Sequence, residues 1–423
     1  MTEKLLQYIW QFQYYNKGEL TVTTGETLQV IVPGQYNTNQ GPDFLHARIR
    51  IGKTSWAGSI ELHLKTSDWT RHKHQADKNY ENVILHVVWD DDSAGQEAVA
   101  AHLPVLVLKS RVPLVLLQRY RELLNTASFI PCEKMIYSVN PLTWRSWKDR
   151  LLAERLLRKT EMANEWLAAS HHHWEETFWW MLAKNFGATV NAGVFEEMAR
   201  SIPVNILAKH KQQIHQLEAL LFGQAGLLSD KTGDDYFVLL QKEYRFLKEK
   251  YGLKPVCQPV HFLRMRPVNF PTVRLAQLAA LVQRSAHLFS SVREIADVKQ
   301  LRSLLNVTAN DYWHYHYRFS ERSSYRPKRT GDAMIDNIII NTICPLLFAY
   351  GTYHQEQRFK DKSLRWLEET SPEKNSITTG FANLGTENRN AADSQALIEL
   401  RNEYCKKKRC LECGIGNALL KGR

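Results

Sequence analysis

One stretch of the chain, residues 41–65, constrains the fold more than any other, because its pattern is that of a β-hairpin. It reads GPDFLHARIRIGKTSWAGSIELHLK. Two largely apolar runs, 44–51 and 56–64, are each long enough for a strand. Gly52 lies between them and predicts a hairpin turn, and Gly58 predicts a bulge in the second strand. The stretch therefore predicts two paired strands in the N-terminal part of the chain.

The predicted hairpin carries ionisable side chains whose arrangement indicates hydrolytic chemistry. Asp43 begins the first strand, and Glu61, His63 and Lys65 alternate along one face of the second. Two carboxylates and a strand carbonyl, that of Leu62, suit Mg²⁺ or Mn²⁺, which prefer oxygen ligands. His63 or Lys65 would orient or deprotonate a bound water, as in metal-dependent phosphodiester hydrolysis. The alternative is a surface hairpin in which Glu61 and Lys65 form an ion pair.

Regular structure changes character along the chain. The first 110 residues predict the order α–β–β–β–α–β–β. The segments are the helices 3–15 and 69–79 and the strands 28–32, 44–51, 56–64, 83–89 and 103–108. Beyond residue 111, helical spacing and helix-ending prolines dominate. We therefore predict an α/β plus all-α protein: an α/β domain over 1–112, a helical region of one or two subdomains over 113–390, and a Cys-rich basic tail over 391–423.

The order α–β–β–β–α–β resembles the restriction-endonuclease-like core of PD-(D/E)XK nucleases, over about residues 1–110. In that family the Asp lies at the start of the second strand and the (D/E)-x-K element lies on the third. Asp43 and the tripeptide that runs from Glu61 to His63 take those positions here. The resemblance implies a nuclease for DNA or RNA with Asp43 and Glu61 as metal ligands. His63 replaces the family's Lys, so the base is His63 or Lys65; an inactive core that binds nucleic acid or acts as a scaffold is the alternative.

A group of histidines follows the hairpin and indicates a different metal. His72 and His74 lie in the predicted helix, and His86 lies in the apolar strand that comes next. Together with His63 they offer the imidazole ligands that zinc prefers, so a zinc-dependent hydrolase is a competing hypothesis. Under the nuclease hypothesis the same helix follows the catalytic strand, and its basic residues would contact phosphate. These residues are Arg71, His72 and Lys73.

The charge balance of the chain favours a polyanionic partner. There are 55 Lys and Arg against 44 Asp and Glu, a net charge of +11. Such a surface suits nucleic acid, although it also serves solubility. Two loops combine cations with aromatic rings, which suits stacked bases and a phosphate backbone, and the alternative is a packed aromatic strip with a basic rim. The candidate contacts are Arg264, Arg266, Arg318, Arg326, Lys328 and Arg329.

Three of the six cysteines, Cys405, Cys410 and Cys413, crowd the last 20 residues. Their spacing, C-x₄-C-x₂-C, indicates sulfur ligation of Zn²⁺ or of an iron–sulfur cluster, and the alternative is a tail of reduced thiols. A fourth ligand must come from elsewhere. Cys132 lies in a loop-like segment and suits that role, whereas Cys344 lies in a predicted buried helix. Some PD-(D/E)XK nucleases hold a four-cysteine iron–sulfur cluster, and the combination seen here is similar.

The whole chain also resembles an uncharacterised bacterial family, and the resemblance covers nearly its full length. It rests on the pattern NxxxGPDF that begins at Asn37 and on five further segments. These are GSIELHLKTSDWTRHKHQAD, VILHVV, LEALLFGQAGLL, SQALIELRNEYC and KRCLEC. The resemblance implies a shared fold, and it brings no activity to this chain.

Hydropathy indicates a cytoplasmic protein without a membrane partner. No apolar run reaches the roughly 18 residues that a membrane span needs. The start, MTEKLLQYIWQFQYY, mixes acidic and basic residues and lacks the basic-then-apolar order of a signal peptide. The oligomeric state stays open, because nothing in the composition decides it.

Overall fold

The chain contains a mixed sheet in its N-terminal part and a large helical region after it. The structure is a computed structural model, and its described residues are 1–92, 103–125, 128–230, 233–263, 265–285 and 287–421. It divides into two compact units. The first unit combines Met1–Trp147 with Arg401–Arg423, and the second unit is Lys148–Leu400. The predicted class, α/β followed by all-α, is confirmed at this level.

The first unit is built on one mixed sheet. Its helices are α1 (Glu3–Gln11), α2 (Asp68–Arg71) and α3 (Leu114–Asn125), and its strands are β1 (Leu28–Val32), β2 (Gln35–Tyr36), β3 (Phe44–Ile51), β4 (Thr54–Lys65), β5 (Val83–Asp90) and β6 (Val105–Val107). The strand order is β1-β3-β4-β5-β6, and the short β2 also pairs with β3. Pairing is antiparallel from β1 to β4 and parallel from β4 to β6.

The predicted hairpin is confirmed as β3 and β4, which pair from Ile51 and Thr54 outward. Gly58 is required by a close approach of backbone, since a Cβ atom there would lie 2.5 Å from the carbonyl oxygen of Asn82. Beside it, the register between β4 and β5 shifts between Ser59 and Ile60. The predicted bulge in β4 is therefore wrong in its strand: the extra residue lies in β5 between Val83 and Leu85, and a second lies in β3 between Phe44 and Ala47.

The predicted helix over 69–79 is wrong. Only Asp68–Arg71 is α-helical, and two single 3₁₀ turns follow, His74–Ala76 and Lys78–Tyr80. Lys73 has a left-handed backbone with φ of 60°, which ends the α-helix. The side chain of Asp77 accepts a hydrogen bond from the N–H of Asn79 and so begins the second turn.

The first unit is completed by residues far away in sequence, so its boundaries differ from those expected at 112 and 390. The π-helical segment Leu400–Cys405 is followed by a helix at Gly414–Lys421. We label this helix α18, because the helices are numbered in chain order. The guanidinium of Arg401 lies 5.2 Å from the ring centroid of Phe129, and Lys408 Nζ donates to the carbonyl oxygen of Leu124 at 2.8 Å. These contacts hold the C-terminal segment against the last turn of α3 and the residues just after it.

In its described residues, the second unit is helical apart from one small hairpin, β7 (His316–Arg318) and β8 (Glu321–Arg322). The first helix of this unit, α4, begins at Pro141, a few residues before the unit itself begins at Lys148. The helices are α4 (Pro141–Ala169), α5 (Trp174–Phe186), α6 (Ala188–Ser201), α7 (Val204–His210), α8 (Ile214–Gln224), α9 (Asp235–Tyr251), α10 (Pro271–Arg284), α11 (Leu288–Glu294), α12 (Val298–Leu305), α13 (Asp332–Ile338), α14 (Cys344–Tyr353), α15 (Gln357–Glu369), α16 (Ser376–Asn383) and α17 (Ala391–Glu399).

A single helical stretch of the described chain, Asp332–Tyr353, is long and apolar enough to cross a membrane. It consists of α13, the π-helical segment Ile339–Ile343 and α14. Of its most apolar window, 72% is buried inside the protein. Burial of this extent is typical of a core helix.

Glu218 in α8 is a buried carboxyl group that makes the stability of the second unit depend on pH. The Tyr236 hydroxyl and the Trp313 indole N–H donate to its Oε2 at 2.7 and 3.0 Å. Burial raises its pKa from 4.5 to about 7, and the two hydrogen bonds oppose this only in part. The folded state therefore holds the proton more tightly than the unfolded state, so stability is lost as pH rises from 4.5 through about 7.

We expect this group to lower the free energy of unfolding by up to roughly 3 kcal/mol between about pH 5 and 8. Urea unfolding at several pH values should show the decrease in the wild-type protein and a smaller decrease in Glu218→Gln, which cannot ionise. Glu249→Gln, an exposed substitution on α9, is the control and should follow the wild type. Equal pH dependence in wild type and Glu218→Gln would contradict the assignment.

Candidate metal centre

Two carboxylates, those of Asp43 and Glu61, lie side by side on the sheet of the first unit. Asp43 immediately precedes β3 and Glu61 lies within β4, so antiparallel pairing brings them together. The N–H of Asp43 donates to Glu61 Oε2 at 3.0 Å, and the N–H of Leu62 donates to Asp43 Oδ2 at 3.1 Å. The backbone therefore sets the position of both carboxylates, and we call them the acid pair.

The acid pair lies where negative charge is unfavourable. Burial raises the pKa of Asp43, and repulsion from Glu3 adds to this, while the hydrogen bond from Leu62 opposes it. Burial likewise raises the pKa of Glu61, and the charge of Asp43 raises it further. Two adjacent buried carboxyl groups have a strong tendency to take up a proton or a cation. The electrostatics thus fit a site for a positive ion.

Three imidazoles lie beside the acid pair. Among the described residues, His63, His72 and His74 form the set of ligand atoms that all lie within 4.8 Å of one another. Nε2 of His63 and Nε2 of His74 are each 3.5 Å from Glu61 Oε1. The Nε2 atom of His74 is buried and has no hydrogen-bond partner. A buried nitrogen without a partner that faces a carboxylate oxygen fits a metal ligand, so imidazole and carboxylate donors converge here.

His63 also belongs to a hydrogen-bonded row of imidazoles that leads to the surface. Its Nδ1 lies 2.9 Å from His86 Nε2, and its Nε2 lies 3.1 Å from His72 Nδ1. His63 and His86 are buried on adjacent strands, and His72 is exposed. Burial, followed by the neighbouring histidines, lowers the pKa of His63 to about 2, so the ring is neutral at physiological pH. It therefore cannot supply the positive charge of the lysine that it replaces.

The structure separates the remaining predicted residues of this region. Lys65 is at the surface, where its Nζ lies 3.8 Å from Asp92 Oδ2, whereas His63 lies beside the acid pair. Arg71 is also largely exposed and pairs with Asp68 Oδ1 at 2.8 Å. Lys73 is exposed in the same turn. Arg71 and Lys73 thus stand at the solvent side of the site, next to His72, and are available to an anionic ligand.

Two residues of the site were missed in the sequence. Gln7 on α1 donates from Nε2 to Asp43 Oδ1 at 2.8 Å. Tyr80 has its pKa raised to about 12, by burial and then by the charges of Glu61 and Asp43, so its hydroxyl lies near both. The spacing of Glu3 and Gln7, four residues apart on one helix face, is the signal that could have indicated Gln7. No local pattern indicates Tyr80.

The basic and aromatic loops of the second unit form a partly packed surface. The guanidinium of Arg318 lies 4.8 Å from the ring centroid of Phe262 and 5.1 Å from that of Phe270. Lys328 is only 3% exposed, and its Nζ lies 3.7 Å from the ring centroid of Tyr317. Burial therefore contradicts Lys328 as a phosphate contact. Arg266, Arg326 and Arg329 are exposed, and Arg264 lies outside the described residues.

The four cysteines predicted as ligands, Cys132, Cys405, Cys410 and Cys413, all belong to the first unit. Cys405 is half-buried, and the other three are buried. The two remaining cysteines belong to the second unit. They are Cys257, which is exposed, and Cys344, which is buried in α14.

Comparisons with known proteins place the chain in a family. A search of curated proteins and a search of solved structures each found no match. A family model matches residues 3–376, a range that includes the acid pair and the neighbouring histidines. The expected membership in an uncharacterised family is thereby confirmed. On this match over most of its length, the chain belongs to the family described as "Protein of unknown function (DUF2851)".

Proposed function

We propose that this protein is a metal-dependent phosphodiester hydrolase that acts on nucleic acid at the acid pair. The observation that carries the proposal is the reciprocal backbone bonding of the two carboxylates. The N–H of Asp43 donates to the carboxylate of Glu61, and the N–H of Leu62, the residue after Glu61, donates to the carboxylate of Asp43. This arrangement holds two buried acids together despite their repulsion. Buried carboxyl groups whose pKa is raised and which lie side by side in this way are candidates for a functional site.

The order of elements supports the resemblance to the PD-(D/E)XK nuclease core. The chain runs through α1, β1, β3, β4, α2 and β5, with β2 as a short addition. Asp43 stands at the start of the second long strand, and Glu61 and His63 lie on the third. These are the positions that the family uses for its acids. The likeness is one of fold and position, and the activity is our inference from it.

The donor atoms favour Mn²⁺ over Mg²⁺. Carboxylate oxygens suit both ions, but the imidazoles of His63 and His74 lie within 3.5 Å of the same Glu61 oxygen. Nitrogen ligands favour transition metals, whereas Mg²⁺ keeps oxygen ligands and water. A divalent ion bound here would polarise a phosphoryl oxygen and lower the pKa of a water.

The row of imidazoles provides a route for the proton that hydrolysis releases. His63 is neutral, so one ring nitrogen accepts a proton while the other donates. Nδ1 of His72 lies 3.1 Å from Nε2 of His63 and the ring of His72 is exposed, so His72 can accept the released proton and pass it to solvent. His86 holds the opposite nitrogen of His63 and fixes the orientation of the ring. In this proposal His63 has an orienting role, and it does not replace the charge of a lysine.

The surface beside the site supports an anionic substrate. Arg71 and Lys73 are exposed in the turn that also carries His72. The chain as a whole has a net charge of +11. Cations beside a hydrolytic site contact phosphates without reading sequence, so they favour binding to DNA or RNA of any sequence. Binding should therefore weaken steeply as salt increases.

The direct test is cleavage of end-labelled DNA and RNA, single- and double-stranded, by the full-length protein with Mn²⁺, Mg²⁺, Zn²⁺ or EDTA. We expect cleavage with Mn²⁺, less with Mg²⁺ and none with EDTA. Salt-sensitive binding without cleavage under any metal would favour the alternative of an inactive nucleic-acid-binding core. Cleavage that is unchanged by EDTA would contradict the proposal.

A zinc-dependent hydrolase is the second candidate, because three imidazoles lie within 4.8 Å of one another next to Glu61. His72→Ala separates the two candidates, since His72 is exposed and lies in the histidine set but not at the acid pair. With Mn²⁺ held by the acid pair, we expect the variant to keep cleavage to within about tenfold, as for loss of one proton-relay group.

If zinc is instead held by the three histidines, His72→Ala should lose bound zinc and activity together. Metal content after dialysis and initial rates of cleavage measure both effects. His171→Ala, which removes an exposed histidine of the second unit, is the matched control and should change neither.

A further inference from the structure

The four cysteines of the first unit converge from separate parts of the sequence. Cys132 lies in the turn after α3, Cys405 ends the π-helical segment, and Cys410 and Cys413 lie in the loop before α18. Cys410 and Cys413 both act electrostatically on Cys132, and these three all act on Cys405. All four are free thiols. Four neighbouring thiols that share no disulfide are a ligand set of the kind that binds metal.

The backbone of the loop before α18 and of the start of that helix surrounds the sulfur of Cys413. The N–H groups of Ile415 and Gly416 donate to the sulfur of Cys413. A Cβ atom at Gly416 would lie 2.2 Å from the carbonyl oxygen of Cys410, so the backbone there admits only glycine. Hydrogen bonds from N–H groups to cysteine sulfur stabilise the thiolate and are a general feature of iron–sulfur sites.

A single zinc ion and an iron–sulfur cluster differ in the spacing of the sulfurs that they need. Zn–S bonds of about 2.3 Å in a tetrahedron hold sulfurs roughly 3.8 Å apart. Among the described residues, the ligand atoms that lie within 4.8 Å of one another are those of the three histidines, and this group includes none of the four cysteines. Iron–sulfur clusters place several iron atoms between their cysteine ligands, so they need a larger distance between the cysteine sulfurs. We propose that Cys132, Cys405, Cys410 and Cys413 bind an iron–sulfur cluster.

The site connects the C-terminal segment to the helix that supports the acid pair. Tyr120 on α3 interacts electrostatically with Cys410. Its side chain also shares a hydrogen bond with that of Thr2, the N-cap of α1. At the end of α18, Lys421 Nζ lies 5.5 Å from the ring centroid of Phe12, just past α1. Gln7 on α1 bonds Asp43. A cluster here would hold α1 in place, so its cysteines are positioning residues and not catalytic ones.

The test uses full-length protein that is expressed with added iron and purified without oxygen. We expect two or four iron atoms per chain, matched by acid-labile sulfide, together with a broad visible absorption band. Cys410→Ser and Cys132→Ser should each lose most of the iron and the band. Cys344→Ser, at a buried thiol of the second unit, and Cys257→Ser, at an exposed one, are the matched controls and should keep both.

Stoichiometric zinc without sulfide would overturn the proposal, and so would metal-free wild-type protein. Iron that persists in both Cys410→Ser and Cys132→Ser would also overturn it. If those variants fail to fold, the iron and sulfide content of the wild type decides the question. The readouts do not involve cleavage, so they are independent of the function proposed for the acid pair.

Discussion

Asp43→Asn and Glu61→Gln should each lower Mn²⁺-dependent cleavage of nucleic acid by about 10³-fold or more. Each substitution removes a negative charge and keeps the shape of the side chain and an oxygen that accepts the backbone N–H. Loss of a metal ligand removes several kcal/mol of transition-state stabilisation, and about 1.4 kcal/mol corresponds to a factor of ten in rate. Initial rates on labelled DNA and RNA, each compared with an EDTA blank, measure the effect.

Asp90→Asn is the matched control, because Asp90 ends the neighbouring strand β5 and pairs with Lys109 at the surface. Its rate should stay within about twofold of the wild type, as expected for an exposed ion pair. The double variant of Asp43 and Glu61 should be no slower than either single variant, because the two acids act as a unit. Cleavage that survives both single substitutions would show that the acid pair is not the active site.

Trp313→Ala should destabilise the second unit by about 4 kcal/mol or more. The indole is fully buried, stacks on Phe222 with ring centroids 5.0 Å apart, and donates to Glu218 Oε2 at 3.0 Å. Removal of a buried Trp side chain costs about 3–5 kcal/mol, and a buried carboxyl group that loses a donor adds about 1–3 kcal/mol. Urea unfolding, followed by circular dichroism of the helices, measures the loss.

Trp313→Phe separates the two contributions to this loss. It keeps most of the ring that stacks on Phe222 and removes only the N–H that Glu218 accepts. We therefore expect a smaller loss, of about 1–2 kcal/mol. A loss for Trp313→Ala below about 1 kcal/mol would contradict the central packing role of this residue.

The hairpin could be predicted from the sequence because its signals are local. Alternation over 44–51 and 56–64, with Gly52 between the runs, determines both the strands and their pairing. That pairing in turn brings Asp43 opposite the residues next to Glu61. The acid pair was accessible to sequence reasoning because a single local element places both carboxylates.

The helix over 69–79 could not be predicted correctly, because tertiary contacts override its helical spacing. Asp68 accepts a hydrogen bond from the N–H of Lys65, and the ring of Trp69 packs against His74 and His86. These contacts turn the chain toward the site at Lys73, where the backbone becomes left-handed. Of these contacts, that of Trp69 with His86 joins residues far apart in the sequence, so the local pattern alone could not decide this segment.

The C-terminal segment shows the same limit at a larger scale. The spacing of Cys405, Cys410 and Cys413 indicates a ligand set, and a loop-like environment pointed to Cys132 as the fourth. The return of residues 401–421 to the first unit has no local signal, because it depends on contacts such as that of Arg401 with Phe129. Sequence reasoning could therefore name the candidate ligands without placing them in the unit that carries the acid pair.

The interruption of the first unit by Lys148–Leu400 has a consequence for synthesis. A ribosome makes the chain from its N-terminus, so the whole second unit is translated before residues 401–421 emerge. Domains fold as units during translation, and the second unit can therefore fold while the first still waits for Cys405, Cys410, Cys413 and α18. Helix α1, which supports Asp43 through Gln7, gains its C-terminal neighbours only after residues 401–421 have been translated. The unit that is translated first is therefore completed last.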